Sequence, residues 1–322
     1  MTTSRHAYVA RINRVIDHID GHLAEPLDLD TLASVAHFSS WHFHRVFQTM
    51  TGETLADRVR RRRLEVAAAR LLFVPPEPVL AIALDVGFGS AAVFTRSFSA
   101  HFGVTPTGWR RGAFRVWAEQ RRMQLSKIHQ ADRNSYQAVI EAFRHDERSW
   151  PKGRASLASD SGDEAMKVEL KTVAPARVAY MRHVGPYGSS GIAQLWQRFA
   201  AWCGQQGLME PRRVMYGISH DNPDVTPPEK CRYDACIEVD DDFKPSGEVG
   251  VQTLRGGRFA CARFSGTSAE IHAAWMQLCD WLPDSGYQAD DAPPVEIYGK
   301  DFTMDEKTGA FDCELCMPVR VL

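Results

Sequence analysis

Residues 40–54 carry a skeleton that returns 51 positions later in the chain. Phe43, Arg45, Phe47, Gly52 and Thr54 are echoed by Phe94, Arg96, Phe98, Gly103 and Thr105, and a short apolar pair stands upstream of each copy, Leu32-Ala33 and Ile82-Ala83. Phe residues four apart share one side of a helix, and the Arg between them is turned away. One unit used twice, each time with an Arg between two inward Phe side chains, predicts two equivalent helices that dock side by side on something long and regular. Double-stranded DNA is the candidate that fits.

The segments around the repeat read as helices throughout. Ile12, Val15, Ile16 and Ile19 recur at helical spacing in a first helix. Asp28 or Asp30 can cap a second through Leu32, Val35 and Ala36, and Ser39 or Ser40 a third that runs to about Met50 and stops at Gly52. A long helix from about Leu55 to Leu72 ends before Pro75-Pro76. The pattern then repeats as a helix over 79–86, a Gly87-Phe88-Gly89 turn and a helix over 90–101. Short turns of this kind are those of helix-turn-helix units. On the third helix Phe43, Val46 and Phe47 pack inward and leave Trp41, His44, Arg45 and Gln48 outside; a core position is the alternative for Trp41. On the sixth, Phe94 and Phe98 pack inward and leave Thr95 and Arg96 outside, with the small Ala91 and Ala92 ahead of them. An Arg so placed can pair with guanine in the major groove, and Trp can meet a thymine methyl. Two such helices held by one central helix would enter successive grooves about 34 Å apart. The run Arg60-Arg61-Arg62-Arg63 lies on that central helix, so its members point in several directions: one or two toward phosphate, the others solvated or salt-bridged.

Composition agrees with this division. Residues 1–112 hold thirteen Arg, no Lys and ten acidic residues, whereas residues 166–322 hold sixteen basic and twenty-two acidic ones, within a net charge of −2. A mildly basic part joined to an acidic one suits a nucleic-acid reader linked to a domain that does not touch nucleic acid. A length of 322 residues allows two or three domains. No apolar run nears the roughly 18 residues of a membrane span, and the N-terminus lacks a signal-peptide core, so no membrane partner and a cytoplasmic location are expected. Seven cysteines, an odd number gathered in the C-terminal half, argue against a disulfide framework.

The N-terminal region resembles the AraC-type DNA-binding domain along nearly its whole length. The resemblance is carried by Leu32-Ala33-x-x-Ala36, Ser39-x-Trp41-His42-Phe43-x-Arg45-x-Phe47, Gly52, Arg63-Leu64-x-x-Ala67, Ile82-Ala83-x-x-x-Gly87-Phe88, and Phe94-x-Arg96-x-Phe98 through Gly103-x-Thr105-Pro106. It implies base contacts from Trp41, His44 and Arg45 and from Ala92, Thr95 and Arg96, with Gln48 beside them. Ala91 and Ala92 stand where several members carry polar readers, so the second helix is expected to read less sequence.

Residues 113–150 are rich in Arg, Gln, Glu and Ala and in part helical by composition; 151–165 read as a linker. The C-terminal part is a second repeat. Arg177-x-Ala179-x-x-Arg182-x-x-Gly185 returns at Arg258-x-Ala260-x-x-Arg263-x-x-Gly266, Trp196 and Trp202 at Trp275 and Trp281, Tyr216-Gly217 at Tyr298-Gly299, and Tyr233-Asp234 at Phe311-Asp312. Each half reads strand, strand, helix, strand, strand. The expected fold is therefore multidomain: an all-α tandem helix-turn-helix domain over 5–111, a connecting segment over 112–165, and an α+β domain of two pseudo-symmetric repeats over 166–322, with a ligand cleft between its halves.

Aligning Tyr216 with Tyr298 sets Val214 against Glu296. A carboxylate in place of an apolar residue is costly to bury unpaired, and a cationic ligand would offset that cost. An edge-strand Glu facing water is the alternative. The repeated Trp residues suit either core or cleft wall. This half resembles the GyrI-like effector-binding domain, through Gly185-Pro186-Tyr187, the Trp275/Trp281 helix, Pro294-x-Glu296-x-Tyr298 and Met317-Pro318-Val319. The resemblance implies a small-molecule site with Glu296 as its acidic residue and Tyr187, Tyr216, Tyr298, Phe311 and Trp275 around it. Cys313-x-x-Cys316, with Cys231 and Cys236, has zinc-like spacing, but residues three apart on a strand face opposite sides, so no metal is assigned. No phosphate loop is present, and no cofactor or catalytic residue is assigned. The sequence thus predicts a DNA-binding regulator that responds to a small aromatic or cationic ligand, with RNA polymerase a further candidate partner. The alternatives are a C-terminal domain that binds a protein, or a GyrI-like hydrolase with a Tyr–Glu pair doing acid–base work.

Overall fold

The computed structural model describes residues 3–145, 166–305 and 308–322; the expected linker at 151–165 lies outside them. The chain divides into two compact units, Met1–Gln120 with Pro245–Gly250, and Arg121–Lys244 with Val251–Leu322. No described helix is long and apolar enough to cross a membrane.

The first unit is helical: α1 (Thr3–Gly21), α2 (Leu29–Val35), α3 (Ser40–Thr51), α4 (Leu55–Arg70), α5 (Val79–Asp85), α6 (Ala91–Phe102), the single turn α7 (Pro106–Gly108), and the start of α8 (Phe114–His145). Asp28 caps α2 by accepting from Thr31 N at 2.8 Å. Ser39 occupies the cap position of α3 without a side-chain bond, and α3 and α6 both end on left-handed glycines, Gly52 and Gly103. Ile12, Val15, Ile16, Ile19, Leu32, Phe43 and Phe47 form one buried cluster. Around α6, Phe94, Phe98, Phe102 and Trp109 stack in sequence, and Trp109 Nε1 donates to Ala68 O on α4 at 3.0 Å.

The arginine run is not a solvated face. Arg58, Arg61 and Arg62 are buried with Glu65. Arg61 bonds Glu53 at 2.8 Å and Glu65 at 2.9 Å, Arg62 bonds Glu65 at 2.7 Å and Asp20 at 2.9 Å, and Arg58 bonds Glu53 at 3.1 Å. Arg63 donates to Leu23 O, Glu25 O and Gly87 O, which joins the entry to the first helix-turn-helix to the turn of the second. Gly87, at φ 91°, is required twice over. Its backbone is left-handed, and a β-carbon there would overlap Leu23 O and the Arg63 guanidinium. Arg60 is the exposed member of the run, with an exposed ion pair to Asp57.

The second unit is a sheet with two helices: β1 (Val168–Val173), β2 (Ala176–Val184), α9 (Ser190–Gln205), β3 (Met215–Ser219), β4 (Arg232–Glu238), β5 (Gly250–Leu254), β6 (Gly257–Gly266), α10 (Ile271–Trp281), β7 (Tyr287–Ala289), β8 (Val295–Tyr298) and β9 (Phe311–Val321). The strand order is β1-β6-β9-β8-β3-β4-β2-β5, with β7 on β9. The two expected repeats are present, and their first strands are exchanged: β1 pairs with β6 of the second half, and β5 lies beside β2 of the first. One sheet face packs Val178, Tyr180, Tyr216, Ile218, Cys236, Phe259, Cys261 and Cys316 into a core.

Glu65 is the acceptor shared by Arg61 and Arg62. Glu65→Ala is expected to destabilise the first unit by about 3 kcal/mol, because it leaves two buried guanidinium groups short of their anion. A denaturant titration of the full chain followed by helix signal measures it.

Candidate functional site

Helices α3 and α6 present their outer faces as the repeat requires. Trp41 is 72% exposed, so it is not a core residue. His44, Arg45 and Gln48 are exposed beside it, and the Arg45 guanidinium lies 5.2 Å from the centre of the Trp41 ring. That cation–π contact restricts a long side chain before it meets a partner. Inward, buried Phe43 and Phe47 meet with tilted rings, centres 5.6 Å apart, and fix the rotation of the helix. On α6, Ala92 and Arg96 are exposed and Thr95 is half-buried. Ser90 caps the helix through Val93 N at 3.3 Å. A groove of about 840 Å³ in the same unit is lined by apolar Leu27, Leu55 and Val59 and by His44, Arg60 and Arg63. It is far in sequence and in chemistry from Glu296, which belongs to the second unit.

Glu296 stands on β8 and is buried, which removes the water-facing alternative. Tyr233 Oη donates to its Oε2 at 2.5 Å, Tyr298 Oη to the same oxygen at 2.9 Å, and Trp275 Nε1 to Oε1 at 3.4 Å. Trp196 Nε1 donates to Tyr233 Oη at 3.2 Å. Two strands and two helices thus supply five side chains, with Trp196 from α9 and Trp275 from α10. Gly217 on β3, opposite Glu296, makes room for them: a β-carbon there would overlap Tyr233 Oη and Glu296 Oε2. Burial pushes the Glu296 carboxyl above its ordinary range, and the three hydrogen bonds oppose that shift only in part. Burial, then the nearby carboxylate, pushes both phenols well above theirs, so they remain donors. Phe311 and Phe302 back the Tyr298 ring at 5.9 and 5.1 Å.

The other buried carboxylates of this unit are answered by arginine. Asp234 receives Arg182 Nε and Nη2, each at 2.7 Å, and His220 Nε2 at 2.7 Å. Burial alone would raise its carboxyl; Arg182 and His220 outweigh that and hold it well below the carboxylate range. Asp221 receives Arg232 in bidentate fashion at 2.8 Å. Among the described residues, Glu296 has only neutral donors around it.

Of the expected ligand residues, Glu296, Tyr298, Trp275 and Phe311 come together, and Tyr187 and Tyr216 do not. Tyr216 stands opposite Ile297, on the other sheet face from Glu296, and its hydroxyl donates to Glu238 at 2.6 Å. Tyr187 is spent on a loop, donating to Asp221 O and Arg232 O and accepting from Asp221 N. For Tyr216 the reason is strand register. Tyr216 and Tyr298 match as letters but face opposite ways, because Tyr298 stands opposite Met215. At the offset that relates Tyr233 to Phe311, Ile237 maps onto Leu315. Their ladder partners are Met215 and Glu296. Glu296 therefore replaces buried Met215, not Val214. The contrast of carboxylate with apolar residue survives the correction. Tyr233 and Trp196 were missed as site residues; their places in the repeat, opposite Phe311 and Trp275, were the available signal. Cys313 and Cys316 are split between the two sheet faces, the latter opposite Cys261.

Comparison with known proteins divides the chain in the same way. Residues 32–112 match a helix-turn-helix domain family, and residues 166–320 match the GyrI-like small molecule binding domain. Regulatory protein SoxS of Escherichia coli K12 is 38% identical over 99 residues, 31% of this chain and 92% of that protein. Right origin-binding protein of the same strain is 41% identical over 93 residues, 29% of this chain and 32% of that protein. The SPbeta prophage-derived protein YosT of Bacillus subtilis is 26% identical over 155 residues, 48% of this chain and all of YosT. Matched in its N-terminal part nearly end to end with SoxS, and in its C-terminal part with the GyrI-like fold, the chain belongs to the AraC-type DNA-binding transcriptional regulators and carries a GyrI-like domain.

Proposed function

We propose that this regulator senses a small cationic aromatic molecule at Glu296 and reads DNA through α3 and α6, with 5–111 as the DNA-binding domain, 112–165 as the connection and 166–322 as the effector domain. The observation that carries the sensing reading is the company of Glu296. A buried carboxylate held by two phenols and an indole, with no basic side chain among its described partners, is short of a positive charge. A ligand cation supplies it, and Trp196, Trp275, Tyr233 and Tyr298 supply aromatic faces. Ligand acts on DNA binding through a difference in affinity for two states of the protein. In the reader, Trp41, His44, Arg45 and Gln48 carry most of the sequence discrimination. Ala92, Thr95 and Arg96 give a plainer second contact, and exposed Arg60 is the member of the arginine run placed for phosphate.

Arg45→Ala is expected to weaken binding to a DNA site selected by the full chain by about 1–3 kcal/mol and to relax its sequence preference. An unchanged footprint and affinity would remove α3 as the reader. Glu296→Gln keeps the shape of the site and drops its charge. Calorimetry with tetraphenylphosphonium should show affinity down about tenfold, the scale of one charge contact in a partly screened site, with DNA affinity unchanged. Equal affinity in both proteins would count against the pocket. The cation prefers the ionised carboxylate, so its affinity should be full at high pH and fall as pH drops through the Glu296 pKa. Because burial raises that pKa, the fall should begin above the range of an exposed Glu. A flat profile from mild acid to neutrality in wild type would contradict this.

A further inference from the structure

From Arg121 onward α8 belongs to the second unit, and there it grips the two helices that carry the site's indoles. Asp132 accepts from Ser190 N at 2.6 Å and from Ser190 Oγ at 2.8 Å, at the first residue of α9. Ser189, in the cap position, makes no such bond and donates its hydroxyl to Pro186 O at 2.7 Å. The N-terminus of α9 is therefore capped in trans by a carboxylate of α8, where free amides and the helix dipole both favour an anion. Gln197 of α9 donates to Val139 O of α8 at 3.1 Å. Beside Gln197 on the same helix, Trp196 holds Tyr233, which holds Glu296. Toward α10, His129 of α8 lies 6.4 Å from the His272 ring, and Trp275 follows one turn later. His129 Nε2 also bonds Tyr187 O at 2.6 Å.

We infer that α8 is part of the frame of the effector site, with Asp132 as a positioning residue for Trp196, so that occupancy of the site is felt by α8. The inference rests on the effector reading of Glu296. A ligand that takes the Glu296 carboxylate changes what Tyr233 and the two indoles bond to. Those indoles ride on helices that α8 holds. Asp132 touches neither Glu296 nor any atom that the ligand would meet; it acts by fixing where α9 starts. Arg122 of α8 adds a bidentate ion pair to the half-buried Asp224, at 3.1 Å from Nε and 2.8 Å from Nη2.

The test uses the full chain and tetraphenylphosphonium. Amide hydrogen exchange across residues 121–139 should change when the probe saturates wild type. Asp132→Ala should weaken probe binding about fivefold, the scale of one helix cap, and abolish that exchange response. Asp132→Asn, which keeps an acceptor for the Ser190 amide, should restore affinity to within about twofold of wild type. Rescue by Asn separates positioning from loss of fold. If Asp132→Ala does not fold, the wild-type exchange and Asp132→Asn measurements decide. Bound probe with no change in α8 exchange, or full affinity in Asp132→Ala, overturns the role of α8 and leaves the Glu296 site standing. A probe that binds wild type and Glu296→Gln equally, or neither, removes the site and this inference with it.

Discussion

Buried charge has to be answered, and both halves of this protein are organised by how they answer it. In the DNA-binding half, α4 threads guanidinium groups through the interior, and Glu53, Glu65 and Asp20 meet them. In the GyrI-like half, Arg182 meets Asp234 and Arg232 meets Asp221. Removing one member of such a pair leaves an uncompensated ion, which makes the pairs a strict specification of geometry even where their net stabilisation is small. Glu296 departs from the pattern, since its partners among the described residues are neutral. The departure sets Glu296 apart from Asp234 and Asp221, the other buried carboxylates of its unit.

The DNA-binding half uses its charges to hold two copies of one motif in a fixed relation. Arg63 bonds backbone oxygens of both helix-turn-helix units, and Trp109 and Arg110 bond the carbonyls of Ala68 and Leu71 at the far end of α4. With the frame locked from inside, the outer faces of α3 and α6 are free to differ. They do: on α3 the Arg45 guanidinium lies over the exposed Trp41 ring, while α6 shows the small Ala92 and an exposed Arg96.

The GyrI-like half shows what a duplicated sheet gains by breaking its symmetry. The exchanged strands β1 and β5 interlock the halves, so β3 and β8 meet at the centre. At that junction Met215 of one half has become Glu296 of the other, and Phe311 stands where its counterpart Tyr233 keeps a hydroxyl. The two indoles follow the same rule. Trp196 reaches a phenol, and Trp275 reaches the carboxylate directly.

What the sequence alone determined is what depends on local periodicity and on repetition. Helical spacing set the inward Phe43, Phe47, Phe94 and Phe98 and the outward Trp41, His44, Arg45 and Arg96, because a helix face follows from counting. The doubled landmarks disclosed two halves in each domain, and Glu296 as the odd residue. The tertiary structure decided what counting cannot reach. A one-residue slip in aligning Tyr216 with Tyr298 turned a side chain to the wrong sheet face, since strand faces alternate at every residue and only the ladder sets the register. Counting left the arginine run open between phosphate, solvent and salt bridges, because the carboxylates that bury Arg61 and Arg62 — Glu53, Glu65 and Asp20 — lie on other turns and another helix. The exchange of β1 and β5, the convergence of Tyr233 and Trp196 on Glu296, and the cap that Asp132 places on α9 all join residues far apart in the chain. No local pattern records such pairings; they exist only once the chain has folded and the buried groups have found one another.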